Sequence, residues 1–223
     1  MNATASMIWG VLIVALVTGG VLGYYIGLKS TPKDTSLTIE DVMSDDKQIA
    51  LYTSMRTLWS DHVFWTREYL DAAINDSLGA NAAAVRLMKN QEDIGNAITV
   101  YYGAAVGAQL TTLLKEHISI AVDIVTAVKA NNQNAFQNAN ARWQDNADEI
   151  ATFLSEANPN WPEADIADMM TVHLKTTADE LSAIQNKQYE KSVSDFDTVH
   201  RHIVGMADAL SAGIIKQFPD KFK

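Results

Sequence analysis

The sequence predicts an all-α protein, an up-and-down bundle of about six helices behind a single N-terminal transmembrane helix. Two observations support this class. Apolar residues recur at spacings of three and four along most of the chain, with no long stretch of period two. An uncharged apolar run also occupies the N-terminus. We therefore expect a transmembrane anchor over residues 1–28, a linker over 29–45 and a helical-bundle domain over 46–223.

The first element is the apolar segment Met7–Leu28, which is 22 residues without a charge. As a helix it would be about 33 Å long, enough to cross a bilayer core of about 30 Å. Trp9 and the pair Tyr24-Tyr25 lie near its two ends, where interfacial aromatic residues concentrate. The run is longer than a usual signal-peptide core, and no A-x-A site follows it, which favours a retained anchor over a cleaved signal. The lipid bilayer is thus the expected partner of residues 7–28.

Charge alone does not fix the orientation of this anchor. Lys29 and Lys33 follow the apolar run and no Lys or Arg precedes it. The positive-inside rule would then place the C-terminal domain in the cytoplasm. A short tail with one α-amino charge is also compatible with an ordinary signal-anchor.

The remaining chain divides into a linker and six helical segments. Pro, Ser, Thr and Asp are frequent over residues 30–44, which is typical of a linker. Short connections between long amphipathic helices imply antiparallel neighbours. The predicted helices cover about residues 46–74, 80–101, 108–130, 134–156, 162–186 and 189–218.

The composition excludes several classes of function. The 223 residues include 17 Lys and Arg against 27 Asp and Glu, for a net charge of −10, and no Cys. A negatively charged domain lacks the clustered cations that bind phosphate, so nucleic acid is not an expected partner. Without Cys there is no disulfide, iron–sulfur cluster or thiolate ligand. No enzymatic motif appears, and a binding or accessory role is favoured over catalysis.

Histidines are the residues that stand out chemically. Four of the five, His62, His117, His173 and His200, each fall near the middle of a predicted buried face, on four different helices. His202 lies off that stripe. A buried imidazole needs hydrogen-bond partners, and helical bundles build metal and haem sites in their cores. Four histidines at similar heights could therefore converge on one ligand.

This pattern predicts a site for a transition metal (zinc, copper or iron) or haem, formed by His62, His117, His173, His200 and Asp197. Imidazole binds all three metals. Asp197 lies three residues before His200 and so shares its helix face. The doubled Glu-x-x-His pattern of di-iron bundles is absent from the sequence, which disfavours a ferritin-like oxidase.

The alternative interpretation is a polar network without metal, which specifies helix pairing when every member is satisfied. The chain would then be a scaffold or interaction subunit of a membrane complex, or a homo-oligomer. The candidate partners of the histidines are Asn96, Asn146, Thr66, Thr177, Tyr69 and Tyr101.

Arg67 is a further candidate for a buried role. It follows Trp65 closely, and an Arg beside an aromatic ring could hold a buried carboxylate bidentately. Asp93 and Glu149 are the candidate partners, and a solvated surface Arg is the alternative.

Several motifs occur in order over about residues 51–222: LWSDHVFWTREY, KNQEDIGNAITVYYG, LLKEHISIA, NADEIATFLSEANPNWP, HLKTT and MADALSAGIIKQFPDKF. Over this region, but not over the anchor, the chain resembles a family of small prokaryotic, often exported, all-helical proteins whose function is not established. The resemblance implies one helical domain whose signature segments carry the histidines, and it implies no reaction. Export among such relatives implies that the C-terminal domain is extracytoplasmic, against the Lys count.

Overall fold

A computed structural model describes residues 39–223, with side chains described from Asp45 onward. Residues 39–223 belong to one compact unit. Within the described range every regular element is helical and no strand occurs. The predicted all-α class is therefore confirmed.

Six long helices build this unit, and each packs against the next long helix along the chain. The last also packs against the first, so the helices form a closed ring. Their short connections make neighbours antiparallel. A single helical turn, α3, links α2 to α4, and a 3₁₀ turn ends the chain. The bounds are α1 Ile39–Ile74, α2 Ala80–Ala97, α3 Thr99–Tyr102, α4 Ala104–Lys129, α5 Gln133–Ala157, α6 Glu163–Gln185, α7 Tyr189–Gln217 and the 3₁₀ turn Pro219–Phe222.

Three helix boundaries differ from the sequence prediction by four residues or more, and one of them is the start of α4, at Ala104 rather than about residue 108. Helix α1 begins at Ile39, so residues 39–45, which were expected in the linker, are helical. The second predicted helix ends at Ala97, because the helix is interrupted at Ile98 and again at Gly103. Gly103 has a φ of 85°, which a residue without a Cβ adopts at little cost.

The predicted anchor, residues 1–28, lies outside the described residues. Among the helices of residues 39–223, none combines the length and apolar character that crossing a bilayer requires. The transmembrane segment therefore stays a prediction from the sequence.

Two glycines bring the C-terminal end of α2 and the N-terminal end of α4 into close contact. A Cβ built on Gly95 would lie 2.6 Å from the carbonyl oxygen of Gly107, and the reverse distance is also 2.6 Å. A side chain at either position would force the two helices apart. This contact holds the helix that carries Gln91 next to the helix that carries His117.

Candidate functional site

Three of the four histidines predicted to face inward meet inside the bundle. His62 on α1, His117 on α4 and His173 on α6 are 3%, 3% and 4% exposed. The ring centres of His62 and His173 are 5.6 Å apart, and those of His117 and His173 are 6.1 Å apart. We refer to these three residues as the histidine cluster. Each sits on an apolar stripe, so burial of the stripe carries its imidazole inward.

The other two predicted ligands have different surroundings. His200 is partly buried, and its Nε2 atom lies 3.0 Å from the hydroxyl oxygen of Ser60. Asp197 is exposed on α7. The buried stripe of α7 follows the predicted one from Ile203 onward, but before it the stripe passes through Ser192 and Val199, which leaves His200 at its edge. The structure thus brings together three of the five predicted site residues.

Metal binding at these residues stays a prediction. Among the described residues, no group of three or more His, Asp or Glu side chains is arranged to hold a metal ion. His202, which the sequence placed off the stripe, is partly buried, and its Nε2 atom lies 2.8 Å from the carbonyl oxygen of Met169.

A hydrogen bond fixes the tautomer of His117. Its Nδ1 atom lies 2.7 Å from Oδ1 of Asn146. The amide nitrogen of Asn146 donates to the carbonyl oxygen of Leu113 at 3.2 Å, so Oδ1 must be the acceptor and Nδ1 the donor. The Nε2 atom of His117 then bears a lone pair, and it is buried without a hydrogen-bond partner. Asn146 was one of the partners predicted from the sequence.

His62 is held by a partner that the sequence analysis missed. Its Nδ1 atom lies 3.3 Å from Nε2 of Gln91. That amide nitrogen also donates to the carbonyl oxygen of Leu87 at 2.8 Å, so Nδ1 of His62 accepts. Leu87, Gln91 and Ile94 are all buried, and their spacing of four and three could have identified Gln91 as an inward residue.

Burial keeps the cluster uncharged. Desolvation lowers the pKa of His62 to about 3 and the pKa of His117 to about 4. It also lowers the pKa of His173 well below the ordinary 6.5, and repulsion from the neighbouring imidazoles adds to this effect. The neutral imidazole is the form that accepts hydrogen bonds and binds metals.

A cavity of about 360 Å³ extends from the histidine cluster to one end of the bundle. We refer to it as the large cavity, to distinguish it from the smaller cavity described below. Thr66 and Thr177 join the cluster at its inner end. No charged side chain of the described residues lines it. Its walls include Tyr69, Leu70, Ile124, Val128, Phe136 and Leu181, and its mouth is lined by Asn131, Asn132, Gln133, Gln185 and Asn186. A more open surface groove of about 660 Å³ lies between α1, α2 and α4.

Three polar atoms at the inner end are buried without a partner. They are Nε2 of His117, Nδ1 of His173 and Oγ1 of Thr177. An unsatisfied buried donor or acceptor costs about 1–3 kcal/mol, so native proteins rarely keep several together. The three residues line the same cavity, so a molecule, an ion or a water bound at its inner end would be the nearest source of the missing partners.

A second, much smaller cavity of about 30 Å³ is also lined by the histidine cluster. We refer to it as the small cavity. Apart from the cluster its lining is apolar, and it includes four methionines. The cluster therefore borders two spaces of different size. The methionines are Met55, Met169, Met170 and Met206.

Arg67 holds a buried carboxylate, although neither predicted partner is the one that it meets. Its Nη1 atom donates to Oε1 of Glu180 at 2.5 Å and to the carbonyl oxygen of Ser192 at 3.0 Å. Burial raises the pKa of Glu180 to about 7, and the adjacent guanidinium opposes this rise. The pair links α1, α6 and α7.

Comparison with known proteins adds no assignment. No protein family, curated protein or solved structure matches this chain. The resemblance drawn from the sequence motifs therefore stays a prediction. Any functional inference depends on the two cavities and the histidine cluster between them.

Proposed function

We propose that this chain is a binding protein for a small, uncharged and mostly apolar molecule that occupies the large cavity. The observation that carries the proposal is a space of about 360 Å³ with no charged lining residue and unpaired polar atoms at its inner end. Ligand pockets in proteins commonly measure about 300–1,000 Å³ and combine apolar walls with a few polar groups.

The lining defines the chemistry of the ligand. A charged group would be desolvated in this space without a counter-charge, which is unfavourable. Nε2 of His117 is an acceptor, so a hydroxyl or N–H group of the ligand would satisfy it. Haem carries two carboxylates, and no cation of the described residues lines the cavity. The lining thus favours an uncharged ligand over haem.

The proposal includes the membrane tether predicted over residues 7–28 and an extracytoplasmic position of the bundle. Apolar molecules concentrate in bilayers, so a tethered bundle would meet its ligand at the membrane surface. Protease treatment of intact cells tests the placement. A bundle that is cleaved only after lysis would contradict it.

A fluorescence titration with N-phenyl-1-naphthylamine, an uncharged apolar probe with one N–H group, tests the binding function. We expect saturable binding to the full chain at one equivalent. Ala178 is partly buried and lines the large cavity, so Ala178→Phe should fill the space and abolish binding. Ala164 is exposed on the same helix, so Ala164→Phe is the matched control and should bind normally. Absent saturation, or unchanged binding by Ala178→Phe, contradicts the proposal.

A second candidate is a scaffold or interaction subunit whose histidines serve only structure. The bonds of His62 to Gln91 and of His117 to Asn146 favour it, because they join α1 to α2 and α4 to α5. A purely structural network would satisfy its members, whereas His117 and His173 each keep an unpaired nitrogen. A folded chain that binds neither the probe nor any metal would support the scaffold.

A further inference from the structure

Two ring nitrogens of the histidine cluster have fixed and opposite hydrogen-bonding roles. Nδ1 of His117 donates to Asn146, so its Nε2 atom can only accept. Nδ1 of His62 accepts from Gln91 at 3.3 Å, and burial keeps this imidazole neutral. The proton of the His62 ring therefore lies on Nε2, which can only donate. Both histidines line the large cavity, so its inner end combines an acceptor with a donor.

Neither nitrogen has a partner within the described part of the chain. Nε2 of His117 is buried and unpaired, and the His62 ring makes its one hydrogen bond through Nδ1. The hydroxyl oxygen of Thr177, which lines the same cavity, is also unpaired. The surface of the small cavity is almost wholly apolar, so a partner for these polar atoms would come from the large cavity.

A hydroxyl group combines both missing roles on one oxygen atom. Its hydrogen can be donated to Nε2 of His117 while its oxygen accepts from Nε2 of His62. A carbonyl or ether oxygen only accepts, and a hydrocarbon does neither. Each of these alternatives leaves at least one buried polar atom unpaired, which is unfavourable.

Charge excludes the other groups that could donate and accept. Aliphatic amines are cationic and carboxylic acids are anionic at pH 7. No charged side chain of the described residues lines the large cavity, so either ion would be desolvated without a counter-charge. Alcohols and phenols stay uncharged at this pH.

The size of the large cavity indicates a molecule with an apolar body and not a water alone. The cavity measures about 360 Å³, whereas one water occupies about 30 Å³ and an apolar cavity of about 150 Å³ holds benzene. The apolar walls therefore have room for a body larger than one benzene ring.

We propose that the ligand of the large cavity is an alcohol or a phenol whose hydroxyl group donates to Nε2 of His117 and accepts from Nε2 of His62. This inference rests on the proposed binding function and specifies the class of apolar molecule that the cavity selects. The two histidines determine specificity. Asn146 and Gln91 are positioning residues, because they fix the two tautomers.

Competition against N-phenyl-1-naphthylamine on the full chain tests the selection. The first competitors are 1-naphthol, 1-methoxynaphthalene and 1-methylnaphthalene, which differ only in the group attached to one ring system. Methyl is more apolar than hydroxyl, so transfer from water alone favours 1-methylnaphthalene. We nevertheless expect 1-naphthol to bind about tenfold or more tightly than the other two. 1-Octanol and its isomer 1-methoxyheptane repeat the comparison with an aliphatic body.

The outcomes separate this inference from the proposed function. Selection of the hydroxyl compound in the naphthalene series supports a phenol, and selection in the aliphatic pair supports an alcohol. Equal affinities of hydroxyl and methoxy compounds in both series overturn the inference, whereas saturable binding of the probe still supports the binding function. A chain that binds neither the probe nor any competitor in calorimetry overturns both.

His117→Phe removes the acceptor and keeps a flat ring where His117 stacks on Trp143, with 5.1 Å between the ring centres. The affinity ratio of 1-naphthol to 1-methylnaphthalene should then fall to about one or below. His200→Phe is the matched control, because His200 is partly buried and lines neither cavity. It should keep the ratio of the unchanged chain. An unchanged ratio in His117→Phe overturns the assignment of the acceptor.

Nitrogen NMR of the histidine rings at pH 7 tests the two tautomers in the unchanged chain. We expect Nε2 of His117 to be unprotonated and Nε2 of His62 to be protonated. Both signals should shift more on addition of 1-naphthol than on addition of 1-methylnaphthalene. The same tautomer in both rings would overturn the inference.

Discussion

Arg67 and Glu180 form an ion pair in which the carboxylate is 1% exposed and the guanidinium 25% exposed. The pair joins α1 to α6, and the same guanidinium packs 5.2 Å from the ring centre of Phe196 on α7. The pair, with a buried carboxylate and a partly exposed guanidinium, links three helices near the place where α1 and α7, the first and last helices of the ring, pack together. It also couples the stability of the bundle to pH.

Glu180→Gln should alter how stability depends on pH. Burial raises the pKa of Glu180 to about 7 in the folded state, against 4.5 ordinarily. A carboxyl with a raised pKa holds its proton more tightly when folded, so its contribution is present below pH 4.5 and lost as pH rises through 7. As the pH rises from 4.5 to 7, the free energy of unfolding of Glu180→Gln should increase by a few kcal/mol relative to that of the unchanged chain. Urea unfolding at several pH values measures it, and a constant difference would contradict the raised pKa.

Acid should destabilise the metal-free bundle through the histidine cluster. The folded pKa values are about 3 for His62 and about 4 for His117, and that of His173 is also lowered. Groups with depressed pKa values take up protons on unfolding, so stability is present above pH 6.5 and falls below it. Each histidine contributes about 1.4 kcal/mol per pH unit over that range. His62→Leu should remove one such contribution from the slope of the free energy of unfolding against pH. An unchanged slope would show that His62 is protonated in the folded state.

Asn146→Leu should destabilise the bundle by about 1–3 kcal/mol, because it leaves Nδ1 of His117 without a partner and removes a second hydrogen bond to the carbonyl oxygen of Leu113. Thermal and urea unfolding measure the loss. Asn138→Leu, at an exposed position of the same helix, is the control and should change stability by less than about 0.5 kcal/mol. Equal effects of the two substitutions would mean that the amide does not support the imidazole.

Gly213→Ala and Gly205→Ala should change stability in opposite directions. A Cβ on Gly213 would lie 1.9 Å from Nε1 of Trp161, whereas a Cβ on Gly205 meets nothing within 4 Å. Both glycines lie within α7. The first substitution should cost about 1–3 kcal/mol through overpacking, and the second should gain about 0.5–1 kcal/mol through helix propensity. Equal shifts of the unfolding temperatures of the two variants, measured by calorimetry, would contradict the contact between Gly213 and Trp161.

Local patterns were sufficient to predict the helices and most of their buried faces. Met55, Trp59 and Tyr69 lie at helical spacings from His62, on the face of the first helix that the sequence predicts to be buried, and all four residues are buried. Side chains three and four apart share a face whatever the neighbours are, so the sequence alone carries this information.

Features that depend on how helices meet were not predictable in this way. A shift of one position, about 100° around α7, decided that Val199 rather than His200 is buried. The partner of Arg67 was missed because Glu180 lies 113 positions away. The large cavity was also beyond sequence reasoning, because a void reflects the summed volumes of side chains from several helices.

The contact between α1 and α7 joins parts of the chain that are far apart in sequence. Arg56 and Asp208, for example, are hydrogen-bonded and lie 152 positions apart. Contacts of such long range form late, since their loop entropy must be overcome first. None of the lining of the large cavity comes from α7, whereas Met206, Leu210 and Ile214 close the small one. During translation, every residue that lines the large cavity is synthesised before α7, which supplies part of the wall of the small cavity. A chain stalled before α7 would expose methionine-rich apolar surface to chaperones.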